Sequence, residues 1–522
     1  MKPISIFNDV LGPVMRGPSS SHTAASFQIG RMARALLGDE PLQATFRFDP
    51  GGSIAEVYHQ QGSDLGFAAG LMGWTITDNR FLEALDHAEE GGLAIEFRVE
   101  PLPDAPHPNT IDIQLVSRRG KTLHAVAQST GGGAIVVTEV DGWPARLPGD
   151  AHEILVTMAP ASEQAVRELL AQDGPAQDGL APETPSRQEQ DSVVLLHYRL
   201  RSSPDKGTLA RLAELPGVRR LWSAPPVFFV QRGQPLFGSA EAMVALAQEQ
   251  GLSLGRIALT YEAALLGLPE SEVLTEADRR FEVMRAAVHR GLGKDLRPMQ
   301  LLRPSARRIY QAEALGGLAT GGMHTRAAAR AMAVMHVNGG MGVVCAAPTA
   351  GAAGTIPGVI VTLAEEKGLD REGTALALLA ASAVGLIVAM RATFAAEVAG
   401  CQVEIGAAGA MAAAAVVEAA GGSARQATEA AAIAFQNTMG SVCDLVQGIV
   451  EIPCHTRNAL AASSAFVCAD LILGGYENPI PLDETIDAVY AVGKMLPREL
   501  KVTALGGLAV TPSALALPRL RQ

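Results

Sequence analysis

Five cysteines occur, at Cys345, Cys401, Cys443, Cys454 and Cys468, all in the second half of the 522-residue chain. Three stand in loop-like surroundings: Ala-Gly-Cys-Gln at Cys401, Val-Cys-Asp at Cys443 and Ile-Pro-Cys-His at Cys454. Cys345 and Cys468 have apolar neighbours (VVCAA and FVCAD) and read as small core residues. That reading stays open for each of the other three, because free cysteine behaves as a small hydrophobe. None forms the close CxxC pairs of zinc sites or ferredoxins. A set of three nevertheless has its own chemistry. A four-iron cubane held by three thiolates keeps one iron free of protein ligands. Such an iron is a Lewis acid that can turn a hydroxyl into a leaving group. The trio therefore points to hydration or dehydration rather than electron transfer. A second cluster of reactive groups is the run GPSSSHT, residues 17–23, just ahead of a helical pattern. Serine is a favoured helix N-cap, so capping alone could account for it. A helix N-terminus also attracts carboxylates, and imidazole is suited to proton transfer near neutrality.

These groups must be carried by several units. Residues 1–150 read as an α/β domain, with strands at 44–49, 93–99, 110–115 and 134–139 and helices at 24–37 and 79–90. Residues 151–235 read as a smaller α+β unit, with strands at 152–158, 193–199 and 226–230 and a helix at 163–171. Within it, 172–190 is rich in Pro, Gly, Gln and acid, which predicts a mobile loop. Residues 236–522 read as all-helical. The runs 372–390, 407–420, 424–437 and 458–473 contain no proline, and Gly-Gly pairs separate the helices. The fold class is thus multidomain.

A net charge of −12 without a basic tract argues against nucleic acid or an anionic membrane surface as partner. The longest apolar run, 375–390, falls short of the roughly 20 residues that a span needs and reads as a buried helix. The N-terminal residues lack a signal-peptide core, so a cytoplasmic location is expected. There, cysteines bind metal or do chemistry more often than they form disulfides. A small-molecule enzyme fits these features.

Several segments resemble the iron–sulfur L-serine dehydratases. They are GPSSSHT (17–23), HPNT (107–110), STGGG (129–133), VNGGMG with APTAGAAGTIPG (347–358), GCQVEIGAAGAMAAAA, VCDLVQGIVEIPCHTRNA and GGLAVTPS. The likeness covers nearly the whole chain. It implies a single-chain fusion of the family's β-type and α-type parts. Residues 151–235 would stand in the place of an ACT-like regulatory domain, and 236–522 would be the cluster-binding catalytic domain. It implies a [4Fe–4S] cluster on Cys401, Cys443 and Cys454, and deamination of L-serine to pyruvate and ammonia by a homodimer. By the same resemblance His22, Ser20 and Ser21 are the catalytic candidates. Ser19, Thr23, Asn338, Thr349 and Arg457 are the candidates for holding substrate, although Arg457 could equally pair with Glu451.

Some positions depart from the family pattern. Where relatives read Gly-His-Gly-Thr-Asp, this chain reads Gln60 to Asp64, and Gln61 replaces the histidine. Gln61 cannot act as a base at neutral pH, and His59 lies two residues earlier. Arg391 to Ala396, Leu445 and Gln447 also differ. Arg391 could accept an extra substrate carboxylate, or could serve as a helix C-terminal cation. The alternatives are the same chemistry on another β-hydroxy amino acid, or an inactive cluster-holding sensor. A pyridoxal-phosphate enzyme would need a Schiff-base lysine, and 339–358 and 400–458 contain none.

Overall fold

The computed structural model describes residues 3–519, apart from 103–104, 106, 108 and 174–184. The N-terminal unit is built on a six-stranded sheet. Its strands are β2 (Pro41–Phe48), β3 (Ala94–Val99), β4 (Thr110–Ser117), β5 (Thr122–Gly131), β6 (Ala134–Val140) and β7 (Trp143–Leu147), in the order β3-β2-β4-β5-β6-β7. Only β2 and β3 pair in parallel. Alternation along β2 and β5 turns Ala44, Phe46 and Phe48, and Leu123, Ala125 and Ala127, into one core with the helices Ala25–Leu37 and Ser63–Met72. Those helices meet backbone to backbone. A Cβ on Gly70 would stand 2.4 Å from the Phe27 carbonyl oxygen, so glycine is required there.

The next unit is a four-stranded antiparallel sheet of β8 (His152–Met158), β9 (Ser186–Gln190), β10 (Val193–Leu200) and β11 (Val218–Ala224), ordered β11-β8-β10-β9. The helices Glu163–Asp173 and Lys206–Glu214 accompany it. Two expectations are corrected here. Residues 226–230 are not a strand. Pro225 and Pro226 remove two donors just where β11 ends, and Val227 and Phe228 instead donate to the Gly149 carbonyl. The expected loop 172–190 contains β9, an edge strand whose polar side chains leave its backbone free to pair with β10; residues 174–184 lie outside the described residues.

The remainder is helical, from Ala240–Gln250 to Pro512–Leu515, with one addition to the expectation: β12 (Val343–Cys345). Alanine is the commonest residue of its core. Ile405–Ala419 is buried along nearly its whole length between Arg371–Arg391, Ala424–Thr438 and Cys454–Leu473. Small side chains let these helices pack closely. Arg371–Arg391 and Cys401–Ala419 are long and apolar enough to cross a membrane, but 78% and 89% of their apolar windows are buried inside the protein. Both are core helices.

Residues 3–18 lie apart from the six-stranded sheet and enter this helical body. Ile6, Phe7, Val10 and Leu11 pack in its core, and Val10 fills the space left by Gly385, where a Cβ would lie 2.2 Å from Val10 Cγ1. Ser5 Oγ and the Ile6 and Phe7 amides donate to the buried Glu262 carboxylate. The strand β1 (Val14–Arg16) then pairs antiparallel with β12, Met15 opposite Val344. That pairing delivers residues 17–24 to the cysteine loops.

Candidate active site

Residues Ser20–Ala24 form a wide helical turn that runs directly into Ala25–Leu37. Ser19 precedes it but makes no side-chain cap bond; its Oγ lies 2.8 Å from His22 Nδ1. The N-cap explanation therefore does not account for this serine. Four segments hold the turn. Ser129 Oγ, at the end of β5, donates to the Ser21 carbonyl at 2.8 Å. Asn338 Nδ2 donates to the Pro18 and Ala350 carbonyls at 3.0 and 3.2 Å. The Ala350 amide donates to Ser20 Oγ at 3.4 Å. Thr23 Oγ1 donates to the Gln61 carbonyl at 2.6 Å.

Each of the three loop cysteines is placed by backbone geometry. Gly400, at φ 76°, precedes Cys401, and a Cβ on it would stand 2.8 Å from the Ser441 carbonyl. Its absence lets the loops carrying Cys401 and Cys443 touch. Gln402 fastens them, its Oε1 accepting from the Gly440 amide at 2.8 Å. Cys443 is tied to the C-terminal segment, its amide donating to the Leu500 carbonyl and its carbonyl accepting from Val502, both at 2.9 Å. Asp444 accepts from the Leu508 amide at 2.8 Å, which brings the GGLAVTPS segment over this loop. Cys454 is the first residue of Cys454–Leu473, where the helix dipole favours a thiolate. Asn458 secures it. Its Nδ2 donates to the Cys454 and Gly351 carbonyls, while its Oδ1 accepts from the Gly354 and Thr355 amides. The glycine-rich run 347–358 is thus tied to the third cysteine through one buried amide side chain.

These parts meet at one cavity. Its lining includes Ser19, Ser20, Ser21, His22, Gln61 and Gly351 on one side and Cys443, Cys454, Glu397 and Glu404 on the other. Cys401 stands behind this wall. Its Sγ, the Cys443 Sγ and a Glu404 carboxylate oxygen all lie within 4.8 Å of one another. Two buried polar atoms on residues of this lining, His22 Nε2 and Gln61 Oε1, lack a partner among the described residues. Buried polar groups are normally satisfied, so such atoms gathered at one place mark a binding site.

Electrostatics sets the state of these groups. Burial lowers His22 to about 4, keeping it neutral at physiological pH. The hydrogen bond from Cys443 and the nearby Arg457 lower Cys401. The shared bond to Cys401 and burial push Cys443 well up, and burial with the charges of Cys401 and Glu404 does the same to Cys454. Burial and the Cys401 charge raise Glu404 well above the ordinary carboxylate range, and burial raises Glu397. Only added positive charge would make this set anionic together. Buried thiolates are soft ligands that suit iron–sulfur clusters or zinc, so the donor set fits the implied group. Cys345 and Cys468 are also buried but far from this set in environment: burial raises each to about 11, and Cys345 pairs within β12.

Of the sequence candidates, Ser19, Ser20, Ser21, His22, Cys443 and Cys454 share the cavity wall, with Cys401 adjoining. Thr23 and Asn338 brace the serine turn, and Thr349 sits buried beside Gly351 and Glu404. Arg457 does not line the cavity. Its Nη1 lies 3.7 Å from Cys401 Sγ and donates to the Val442 carbonyl at 2.8 Å, and its Nη2 pairs with Asp444 at 2.9 Å. Glu451 is not its partner but accepts from the Gln300, Leu301 and Leu302 amides. Arg391 pairs with Asp487 and Asp483, so the helix-end reading is the one observed. His59 points outward, its side chain 67% exposed and bonded to Asp64. Glu397 and Glu404 were missed. Their signal was their setting, as the only two acids in the run 373–417.

Comparison with known proteins gives a consistent result. Residues 239–509 match the family described as serine dehydratase alpha chain. The chain is 36% identical over 284 residues to the probable L-serine dehydratase alpha chain of Bacillus subtilis (strain 168), covering 54% of this chain and 95% of that one. It is 44% identical over 156 residues to the probable beta chain of the same organism, covering 30% of this chain and 69% of that one. To L-serine dehydratase 2 of Escherichia coli (strain K12) it is 34% identical over 281 residues, covering 52% and 61%.

Proposed function

Because the chain belongs to the serine dehydratase family and joins its alpha-type and beta-type parts in one polypeptide, we propose that it is a [4Fe–4S]-dependent L-serine ammonia-lyase. L-serine would be converted to pyruvate and ammonia. The observation that carries this reading is the meeting of the Ser19–His22 turn with Cys443 and Cys454 on one cavity, with Cys401 directly behind. Cys401, Cys443 and Cys454 would hold the cluster. When bound, it supplies Lewis acidity to loosen the substrate's β-hydroxyl.

The chain's own residues do the rest. Ser19, Ser20 and Ser21 offer hydroxyls and a helix start to the substrate carboxylate. His22 is neutral, is held by its Nδ1 contact with Ser19 Oγ, and is the group that takes the α-proton. Asn338 and Ser129 keep the turn in place. Arg457 offsets the Cys401 thiolate rather than gripping substrate. Water exclusion by the Ala-rich helices strengthens each of these electrostatic contacts. The four-stranded sheet of β8 to β11 would be the ACT-like regulatory unit, and residues 1–150, 151–235 and 236–522 the three domains. A homodimer in the cytoplasm completes the proposal.

Gln61 favours a second reading, in which another β-hydroxy amino acid is preferred. Its Nε2 donates to the Gly448 carbonyl at 2.9 Å, and its orphaned Oε1 stands at the cavity where relatives carry histidine. Anaerobically reconstituted protein should be given serine, threonine and larger or acidic β-hydroxy amino acids, with keto-acid and ammonia release followed. Serine should give the highest kcat/KM. A different best substrate selects the second reading, and inactivity of cluster-loaded protein towards all of them would refute both.

A further inference from the structure

Resting on the cluster reading above, we infer that Glu404 is the fourth protein ligand of the cluster in the substrate-free enzyme, holding the iron that the three cysteines leave open. Its carboxylate oxygen lies within 4.8 Å of both the Cys401 and Cys443 sulfurs. The same turn places it: the Glu404 amide donates to the Cys401 carbonyl at 3.1 Å, and the Glu404 carbonyl accepts from Ala408 at 2.9 Å. Cys401 lies behind the cavity wall, whereas Glu404 lines it together with Ser19 to His22. The carboxylate therefore faces the side from which substrate arrives.

Charge supports the same assignment. Neither Glu397 nor Glu404 forms an ion pair among the described residues, and the side-chain partner of Glu404 is the neutral Thr349. Arg457, which lies against Cys401, is already engaged with Asp444 and the Val442 carbonyl. A half-buried carboxylate that lines a cavity beside thiols, with no cation partner, is well placed to bind metal. Substrate binding is then a ligand exchange without redox change. Glu404 would give up its place as a free carboxylate when a substrate oxygen binds. Glu397, on the same wall, stays free to meet the substrate ammonium.

The test uses anaerobic holoenzyme whose iron and sulfide contents have first been measured. The reduced cluster is examined by electron–nuclear double resonance in ¹⁷O-enriched water, without substrate. The wild type should show no ¹⁷O coupling, and E404Q should show one. E404Q should also lose its fourth iron to air at least about tenfold faster, read as the three-iron signal. A solvent ¹⁷O coupling in the wild type would overturn the assignment even if E404Q failed to assemble a cluster, and would leave the cluster reading standing. Wild-type protein without iron and sulfide would instead remove the cluster reading, and this inference with it.

Discussion

Replacing Glu262 by glutamine tests how the serine turn is carried into the helical body. Glu262 is fully buried and accepts from Ser5 Oγ, the Ile6 amide and the Phe7 amide, at 2.5, 2.8 and 3.1 Å. Burial nevertheless raises its carboxyl to about 7. A carboxyl raised in the folded state binds more protons there than in the unfolded chain. Stability is therefore greatest at low pH and falls as pH rises from the unfolded value towards 7. Moving a carboxyl from 4.5 to about 7 corresponds to roughly 3 kcal/mol, of which about 2.5 kcal/mol falls between pH 5 and pH 8. E262Q is neutral throughout and lacks this slope. Its amide NH₂ must face one of the donors, which costs about 1–3 kcal/mol at every pH. The variant should thus be less stable than the wild type at pH 5 and nearly equal to it at pH 8. Urea unfolding followed by far-ultraviolet circular dichroism reads both. Other titrating groups cancel in the comparison. Parallel pH dependences in the two proteins would refute the reasoning. Because Ser5 to Leu11 leads through β1 to Ser19, E262Q should also lower kcat while iron content is kept.

Four further outcomes follow from the site. Serine at Cys401, Cys443 or Cys454 should abolish bound iron and sulfide, whereas C345S and C468S should keep both and lose only about 1–2 kcal/mol of stability; metal analysis of purified proteins reads this. H22N should lower kcat by roughly 10²–10⁴ at full iron content. Because His22 is held near 4, wild-type activity should show no acid limb at the usual histidine value, and a loss centred near 6.5 would contradict the burial argument. N458A removes five hydrogen bonds around Cys454 and Gly354. It leaves buried amides unpaired at about 1–3 kcal/mol each, and should show a lower denaturation midpoint and faster iron loss to chelator.

The strand β8 was legible because its apolar run is buried on both faces, with only His152 partly exposed. The Ala-rich helices were legible because no proline interrupts them. Their packing was not, since alanine or glycine at ten of the fifteen positions leaves no preferred face to read in Ile405–Ala419. β5 and β7 escaped notice because His124, Gln128 and Arg146 dilute their alternation, and β9 because it is wholly polar. The course of residues 5–16 was hidden for a different reason. The strand β1 is only three residues long and finds its partner more than 300 residues away, and no local pattern encodes that pairing. At the site, the cysteine trio was visible from its loop setting and the serine turn from its motif. Glu397 and Glu404 read as ordinary acids until the fold turned them inward. Arg457 was assigned to substrate because charge type shows in a sequence, while its engagement by Asp444 depends on tertiary geometry.

The most direct test is a metal and acid-labile sulfide determination, with an absorption spectrum, on protein purified without oxygen. About four irons and four sulfides per chain are expected, with a broad charge-transfer band that air bleaches. Zinc without sulfide, or iron retained by a protein lacking Cys401, Cys443 and Cys454 together, would contradict the account.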